Sequence, residues 1–342
     1  MKLSGIVLSL VVAVVLQSAC GGGSGATASN GSSSAGGTGG GSTGGGGSTG
    51  GGGGTGGGGG TGGQTSVPQF SHVFLVVEEN HSYSDVIGNS NMPYLNGLAS
   101  ANGLATQYYA DAHPSLPNYF ELTVGAGTSI TGTEGDAWMG VISQDNVVRA
   151  LTNAGKTWKC YAEGLPSPGY LGGDTGAYLQ HHDPFVYFSD VQASATQAAN
   201  IVPFTQLASD MANNTLPDYA FIVPDVNDDA HNCPVGMSTC TSDQMLAAAD
   251  QWLSSNIAPL LSSTEFQNSL MIVVFDESED SDTQNGGGHV PAVIVSSMAK
   301  SGYQSTTLYQ HESTLRLMME GLGVSDLPGA AAGAPDMSEF FK

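Results

Sequence analysis

The side chains of this 342-residue chain that could do chemistry gather in four short stretches. Glu78-Glu79-Asn80-His81-Ser82-Tyr83 follows directly on an apolar run ending at Val77, and Ala112-His113-Pro114-Ser115-Leu116-Pro117-Asn118 sets a hydroxyl between two prolines. Pro224-Asp225-Val226-Asn227-Asp228-Asp229-Ala230-His231 and Asp276-Glu277 each follow a further apolar run. Pro114 biases His113 away from helix, and Pro117 suits a first helical turn, where its missing N–H is no loss. Ser115 is therefore expected on a constrained loop at a helix start, where free N–H groups and the helix dipole favour an anion such as phosphate. Alone, the motif reads equally as a proline-flanked turn with an incidental serine. Carboxylates placed where a buried strand leaves the core are costly unless a cation or hydrogen bonds compensate. Two acidic pairs so placed, together with Ser115, point to a built site.

For those loops to meet, the runs that precede them must be neighbours in a sheet. His72-Val73-Phe74-Leu75-Val76-Val77 is continuous and rich in β-branched residues, as in a central strand covered on both faces. Further strands are expected over 104–109, 157–162, 219–223, 270–275 and 290–295. Helices are expected over 92–101, from Asp145 to Gly155, and over 203–213, 242–261 and 309–322. This alternation predicts an α/β three-layer sandwich with a mostly parallel central sheet. The chemistry-bearing loops then fall at strand C-terminal ends, the edge where such sheets carry ligands. The span 67–342 suits one large domain of this class.

Seven Lys and Arg stand against 30 Asp and Glu, for a net charge of −23. Such a chain is unsuited to nucleic acid or anionic membranes, which need clustered basic residues. An anionic substrate also needs local positive charge, from a metal or protonated His, because Arg149 and Arg316 are the only arginines and both fall on expected helices. Residues 1–20 read as an export signal: Lys2 precedes an apolar Ile6–Leu16 segment too short to span a bilayer. Ser18-Ala19-Cys20 is similar to a bacterial lipoprotein cleavage site, with Gln17 where an apolar residue is usual. Lipidation of Cys20 is expected, with plain secretion the alternative, so any membrane contact is by lipid anchor only. Residues 21–66 are a Gly/Ser/Thr-rich tether. Its two G-x-S-x-G matches, Gly40 to Gly44 and Gly46 to Gly50, follow no strand and carry no hydrolase signal. Cys233 and Cys240 suit a disulfide in an exported protein, with a zinc pair including His231 the alternative. Cys160, beside Trp158 and Tyr161, suits a buried thiol.

Six segments, in order from about His72 to Val324, carry a resemblance: HVFLVVEENHSYSDVIGN, HPSLPNYFELTVG, QHHDPFVYFSD, PDVNDDAHNC, VVFDESED and HESTLRLMMEGLGV. Together they resemble the bacterial phosphoesterase family of acid phosphatases and phosphatidylcholine-type phospholipases C, in the alkaline phosphatase superfamily. The resemblance implies an alkaline-phosphatase-like fold over 67–342. It implies Glu79, Asn80, Asp276 and Glu277 as metal ligands, with Ser115 bridging to the metal as nucleophile. Asn118 would hold a phosphoryl oxygen, and His182, His231 and Asp229 would line the phosphate pocket. Asp183 departs from the family's usual Asn, His113 has no assigned role, and His289 in its glycine-rich loop is a further candidate for the pocket.

That set suits phosphoryl transfer: a hydroxyl armed by a cation attacks phosphorus and forms a phosphoserine. The ligands are oxygen-rich, so one divalent ion of unspecified identity is expected. With arginine nearly absent, His182 and His231 are expected to hold protons and to place the activity optimum at acid pH. The expected function is an exported, metal-dependent phosphomonoesterase acting on a phosphorylated small molecule or phospholipid. A phospholipase C or other phosphodiesterase is one alternative, and a non-catalytic surface binding domain is another.

Overall fold

In the computed structural model the described residues are 66–342; the expected export signal with Cys20 and nearly all of the expected tether lie outside them. The strands are β1 (His72–Glu78), β2 (Gly103–Ala105), β3 (Trp158–Ala162), β4 (Ile201–Pro203), β5 (Tyr219–Val223), β6 (Ser269–Phe275), β7 (Ala292–Val295) and β8 (Tyr303–Ser305). They form one sheet in the order β4-β3-β5-β1-β6-β7-β2-β8. Every pairing is parallel except those of β7, which runs antiparallel to both β6 and β2. The sheet is thus the expected mostly parallel α/β centre.

β1 is central because each residue from Val73 to Val77 is apolar and fully buried. Alternate strand residues point to opposite faces, so such a run needs cover on both sides of the sheet. Each of those side chains contributes roughly 1.5–3 kcal/mol by leaving water. β1 pairs with β6 in unbroken register from His72↔Ser269 to Glu78↔Phe275. That register fixes the site, because Glu79 and Asp276 must then leave the sheet side by side.

Some elements depart from expectation for local reasons. Of the run 104–109 only Leu104 and Ala105 lie in a strand, and Tyr108 and Tyr109 make single bridges to Tyr309 and His289. The expected helix 242–261 is α-helical over Ser242–Trp252, π-helical over Leu253–Ile257, then α-helical again over Ala258–Leu261. Pro259 lacks an N–H and crowds the carbonyl four residues back, which accounts for the interruption. Edge strands β4 and β8, three residues each, are too short to show a period. Cys233 and Cys240 form a disulfide, and Cys160 is a free, buried thiol. No described helix is long and apolar enough to cross a membrane.

Candidate active site

Where β1 ends, Glu79 and Asn80 turn across the top of β6. Asn80 has φ of 54°, a left-handed conformation that asparagine tolerates better than most residues. The turn sends its backbone N–H to Asp276 Oδ1 at 3.1 Å and its Nδ2 to Glu277 Oε1 at 2.8 Å. Ser115 opens the helix Ser115–Glu121, with Pro117 in the first turn as the sequence implies. Its Oγ lies 3.0 Å from Glu79 Oε2 and 3.0 Å from Glu277 Oε1. Residues more than 160 positions apart thus meet around one hydroxyl.

Glycines press these loops together. A Cβ on Gly286 would stand 1.9 Å from the Asp111 carbonyl oxygen, and one on Gly287 2.3 Å from that of Ala112. Without side chains the run threads between the serine loop and the loop after β6. Gly287 N–H donates to Ala110 O, and its own carbonyl accepts from Ser278 N–H.

The site is strongly negative and sealed. Glu79, Asp276 and Glu277 are each no more than 1 % exposed. Burial first, then the neighbouring Asp276 and Asp229 carboxylates, push Glu79 well above the usual carboxylate range. Burial and Glu277 do the same to Asp276. Asn80 Oδ1 and Asp276 Oδ2 are buried with no hydrogen-bond partner. Ser115 has one hydroxyl proton for two carboxylate contacts, so one oxygen pair meets with lone pairs facing. Unpartnered oxygens among crowded carboxylates are what a hard divalent cation relieves, and the donor set is all oxygen. The residues present fit such an ion.

No arginine or lysine among the described residues offers that charge. Arg149 pairs with Asp145 and Asp190, Arg316 with Glu320, Lys156 with Asp218, and Lys159 with Asp210. Lys300 donates to Glu339 O and Lys342 to Ser297 O. The site's cation is His113. Its Nδ1 lies 2.5 Å from Glu277 Oε2 and its Nε2 2.9 Å from Asp282 O. Both partners are acceptors, so both ring nitrogens must carry hydrogen. The hydrogen bond to Glu277 leads in raising its pKa to about 9.

Several expected roles change. His182 is buried, stacks on Tyr119 and brings Nε2 to 3.3 Å from Glu79 Oε1, but it is not the expected acid-pH cation. Burial, aided by His181 and His231, pushes its pKa well below the ordinary value. The contact with Glu79 is therefore that of a neutral ring. Asn118 does not present a free amide to a phosphoryl oxygen: Oδ1 accepts from Asp111 and Ala112 N–H, and Nδ2 donates to Ala112 O at 2.8 Å. It shapes the serine loop. Asp229 accepts from the N–H groups of His231 and Asn232, and its carbonyl accepts from Glu79 N–H. It braces two loops. His231 is exposed in a side cleft with Asn80 and His81, outside the buried centre. His289 stacks between Tyr83 and Tyr109 with Nε2 on Thr106 O, and so does not face the pocket. Asp183 is fully buried, accepting from Tyr178 OH and Phe185 N–H.

Three contributors escaped the sequence reading. Tyr119 OH donates a short hydrogen bond to Glu79 Oε1. His311 Nε2 donates to Asp276 O at 2.6 Å, while its Nδ1 faces Tyr108 OH. His113, seen in the sequence but given no role there, is the third. Tyr119 stands four residues after Ser115 on the same helix, a spacing that puts both on one face and could have signalled it.

The chain matches the Phosphoesterase family over residues 89–325. It is 29% identical to a phosphatidylinositol-3-phosphatase of Mycobacterium tuberculosis, over 81% of this chain and 85% of the relative. It is 30% identical to an acid phosphatase of Aspergillus fumigatus, over 78% of this chain but 58% of that longer protein. Among solved structures, a lipoteichoic acid synthase of Listeria monocytogenes superposes with a TM-score of 0.55 at 12% identity, covering 78% of this chain and 76% of that one. A protein of the alkaline phosphatase superfamily from Vibrio parahaemolyticus gives 0.52 at 14% identity, covering 77% and 69%. At that identity the likeness speaks for the fold alone, which this chain shares with these two proteins. With a family match spanning well over half of its length, this chain belongs to the phosphoesterase family.

Proposed function

We propose that this phosphoesterase hydrolyses phosphomonoesters through a phosphoserine on Ser115, at a site where Glu79, Asn80, Asp276 and Glu277 hold one divalent cation. The observation that carries the reading is the Ser115 hydroxyl, 3.0 Å from carboxylates on two different loops and beside unpartnered buried oxygens. Bound there, the cation would favour the ionised hydroxyl and offset the charge of the phosphoryl group. Glu79 and Glu277 are placed to take the Ser115 proton. The Oγ–P bond then forms as the bond from phosphorus to the ester oxygen breaks on the opposite side; that oxygen takes a proton from solvent and leaves as the alcohol, and the carboxyl returns the serine's proton to solvent. Water next displaces Oγ from phosphorus, freeing phosphate and returning a proton to the serine. Tyr119 and neutral His182 orient Glu79, and the His113 imidazolium orients Glu277. Asn118 and Asp229 hold the loops that carry the reacting groups.

Relatives named acid phosphatase and phosphatidylinositol-3-phosphatase support a monoester, free or on a lipid headgroup, and an acid optimum. Export belongs to the reading, supported by the signal-like Met1–Cys20 segment and the Cys233–Cys240 disulfide. The test is turnover of a chromogenic phosphomonoester, a phosphodiester and a phospholipid, each with and without chelator. Monoester turnover that is lost on chelation and restored by a divalent ion is expected, with phosphate trapped on Ser115 after acid quench. Preferential diester cleavage would move the enzyme to the phosphodiesterases. No turnover of any substrate with metal supplied would leave a binding domain.

A further inference from the structure

His81 follows Asn80 directly and is 3 % exposed, yet it has no part in the site just described. Its Nε2 lies 2.9 Å from the carbonyl oxygen of Ala230. A carbonyl only accepts, so Nε2 carries a hydrogen, and in the neutral ring Nδ1 keeps a bare lone pair. That Nδ1 is buried without a hydrogen-bond partner. The groups gathered with His81 are carboxylates: a ring nitrogen of His81 and an oxygen from each of Asp85 and Glu279 lie within 4.8 Å of one another. Neither carboxylate is engaged by a hydrogen bond among the described residues.

Lone pairs that converge without a proton repel one another, and a cation among them reverses the sign of the interaction. Ligand atoms on one ion with bonds of about 2.0–2.3 Å stand about 3–4 Å apart, which small side-chain movements reach from here. The local fold supplies the convergence. Asn80 turns the chain at φ of 54°, and the short helix Tyr83–Val86 carries Asp85 one turn beyond His81. Glu279 follows three residues after Asp276. A cleft of about 220 Å³ lined by Asn80, His81, His231, Glu279 and Asp280 gives an ion a way in.

We propose that His81 Nδ1, Asp85 and Glu279 form a second divalent-cation site beside the active site. One imidazole with two carboxylates suits an intermediate ion such as Zn²⁺ over Ca²⁺ or Mg²⁺. The site shares no side chain with Glu79, Asn80, Asp276 and Glu277. It places positive charge on a cleft next to Asn80 in a chain of net charge −23, where an anionic substrate otherwise meets repulsion.

The experiment counts ions. Full-length protein stripped with chelator is titrated with Zn²⁺ alone, and bound zinc per chain is measured by plasma mass spectrometry after dialysis. Wild type is expected to hold two ions, the Asp85→Asn/Glu279→Gln double variant one, and Asp276→Ala one. Glu279 is exposed, so Glu279→Gln keeps the test alive if the change at Asp85 disturbs its short helix; it should weaken the second ion about tenfold or more. A double variant that binds as many ions as wild type overturns the proposal. So does a wild-type protein whose single ion is lost in Asp276→Ala. A single ion kept in Asp276→Ala but lost in the double variant upholds this site and sinks the active-site reading instead.

Discussion

Glu78 and Glu79 are adjacent, equally sealed from water and set at the end of one strand, yet their surroundings differ in kind. Glu79 meets Ser115, Tyr119 and His182. Both oxygens of Glu78 are buried with no partner. Strand alternation sends them to opposite sides of the sheet. On the Glu78 side its charged neighbours are Asp229, Asp228, Glu163 and Asp250, all acidic, and burial with these neighbours pushes its pKa well above the usual range. One face has gathered donors, a nucleophile and a neutral histidine around its carboxylate, and the other has only packed it. Burial of an acid is therefore not the mark of the site; organised partners are.

Exchanging the two carboxylates for amides tests that contrast most severely. Glu79→Gln removes a ligand oxygen and a proton acceptor of Ser115, and is expected to lower kcat/KM by about 10³-fold or more. Glu78→Gln should stay within about threefold of wild type, because it touches none of the reacting groups. Steady-state assays on the two purified variants, with circular dichroism to confirm folding, decide it. Equal losses would mean that the partner count carries no information here.

The partners of the carboxylates come next. Tyr119→Phe deletes one hydroxyl from the Glu79 side, and His113→Gln deletes the positive charge from the Glu277 side. Residues that orient metal ligands typically matter about 10–100-fold, and each variant is expected in that range. His113→Gln should also weaken divalent-ion binding in a calorimetric titration. Full activity with unchanged ion affinity in both would reduce these contacts to packing.

How much of this was legible in the chain depends on how local the signal is. The central strands announce themselves as unbroken apolar runs with Glu79-Asn80 and Asp276-Glu277 directly after them, and Ser115 is marked by its flanking prolines, so both halves of the candidate site could be read in sequence. Charge states could not be read. His182 carries no sequence mark of its burial under Tyr119, and the two acceptors of His113, Glu277 and Asp282, lie more than 160 residues away. Asn118 shows the same limit at short range. An amide after a nucleophile serves a substrate or its own loop equally well, and hydrogen bonds to Asp111 and Ala112 decide for the loop.

Asp183 supplies an intermediate case, a buried acid with neutral donors and no role at the nucleophile. Burial raises its pKa to about 7, against the bonds from Tyr178 and Phe185 that lower it. A carboxyl raised from about 3.9 in the unfolded chain favours the folded state fully below that value. The advantage fades as pH climbs towards 7, because the folded state must then bury a charge. Asp183→Asn, the residue the family usually carries there, should leave stability near pH 4 almost unchanged and raise it at pH 8 by roughly 1–3 kcal/mol. Thermal melts at the two pH values measure the difference. A variant destabilised at both would show that the charged form is held by its donors.

The smallest expected effect returns to Glu78. A buried carboxyl with no hydrogen-bonding partner is a net loss to the fold, and methionine fills a similar volume without polar atoms. Glu78→Met is expected to stabilise the protein by roughly 1 kcal/mol, read as a rise in the denaturation midpoint at unchanged m-value. Its activity should stay near wild type, since Glu79 keeps its own contacts. A marked loss of stability would break the contrast. It would mean that Glu78 and its acidic neighbours Glu163 and Asp228 share a cation, so that the second face of the sheet is organised as well.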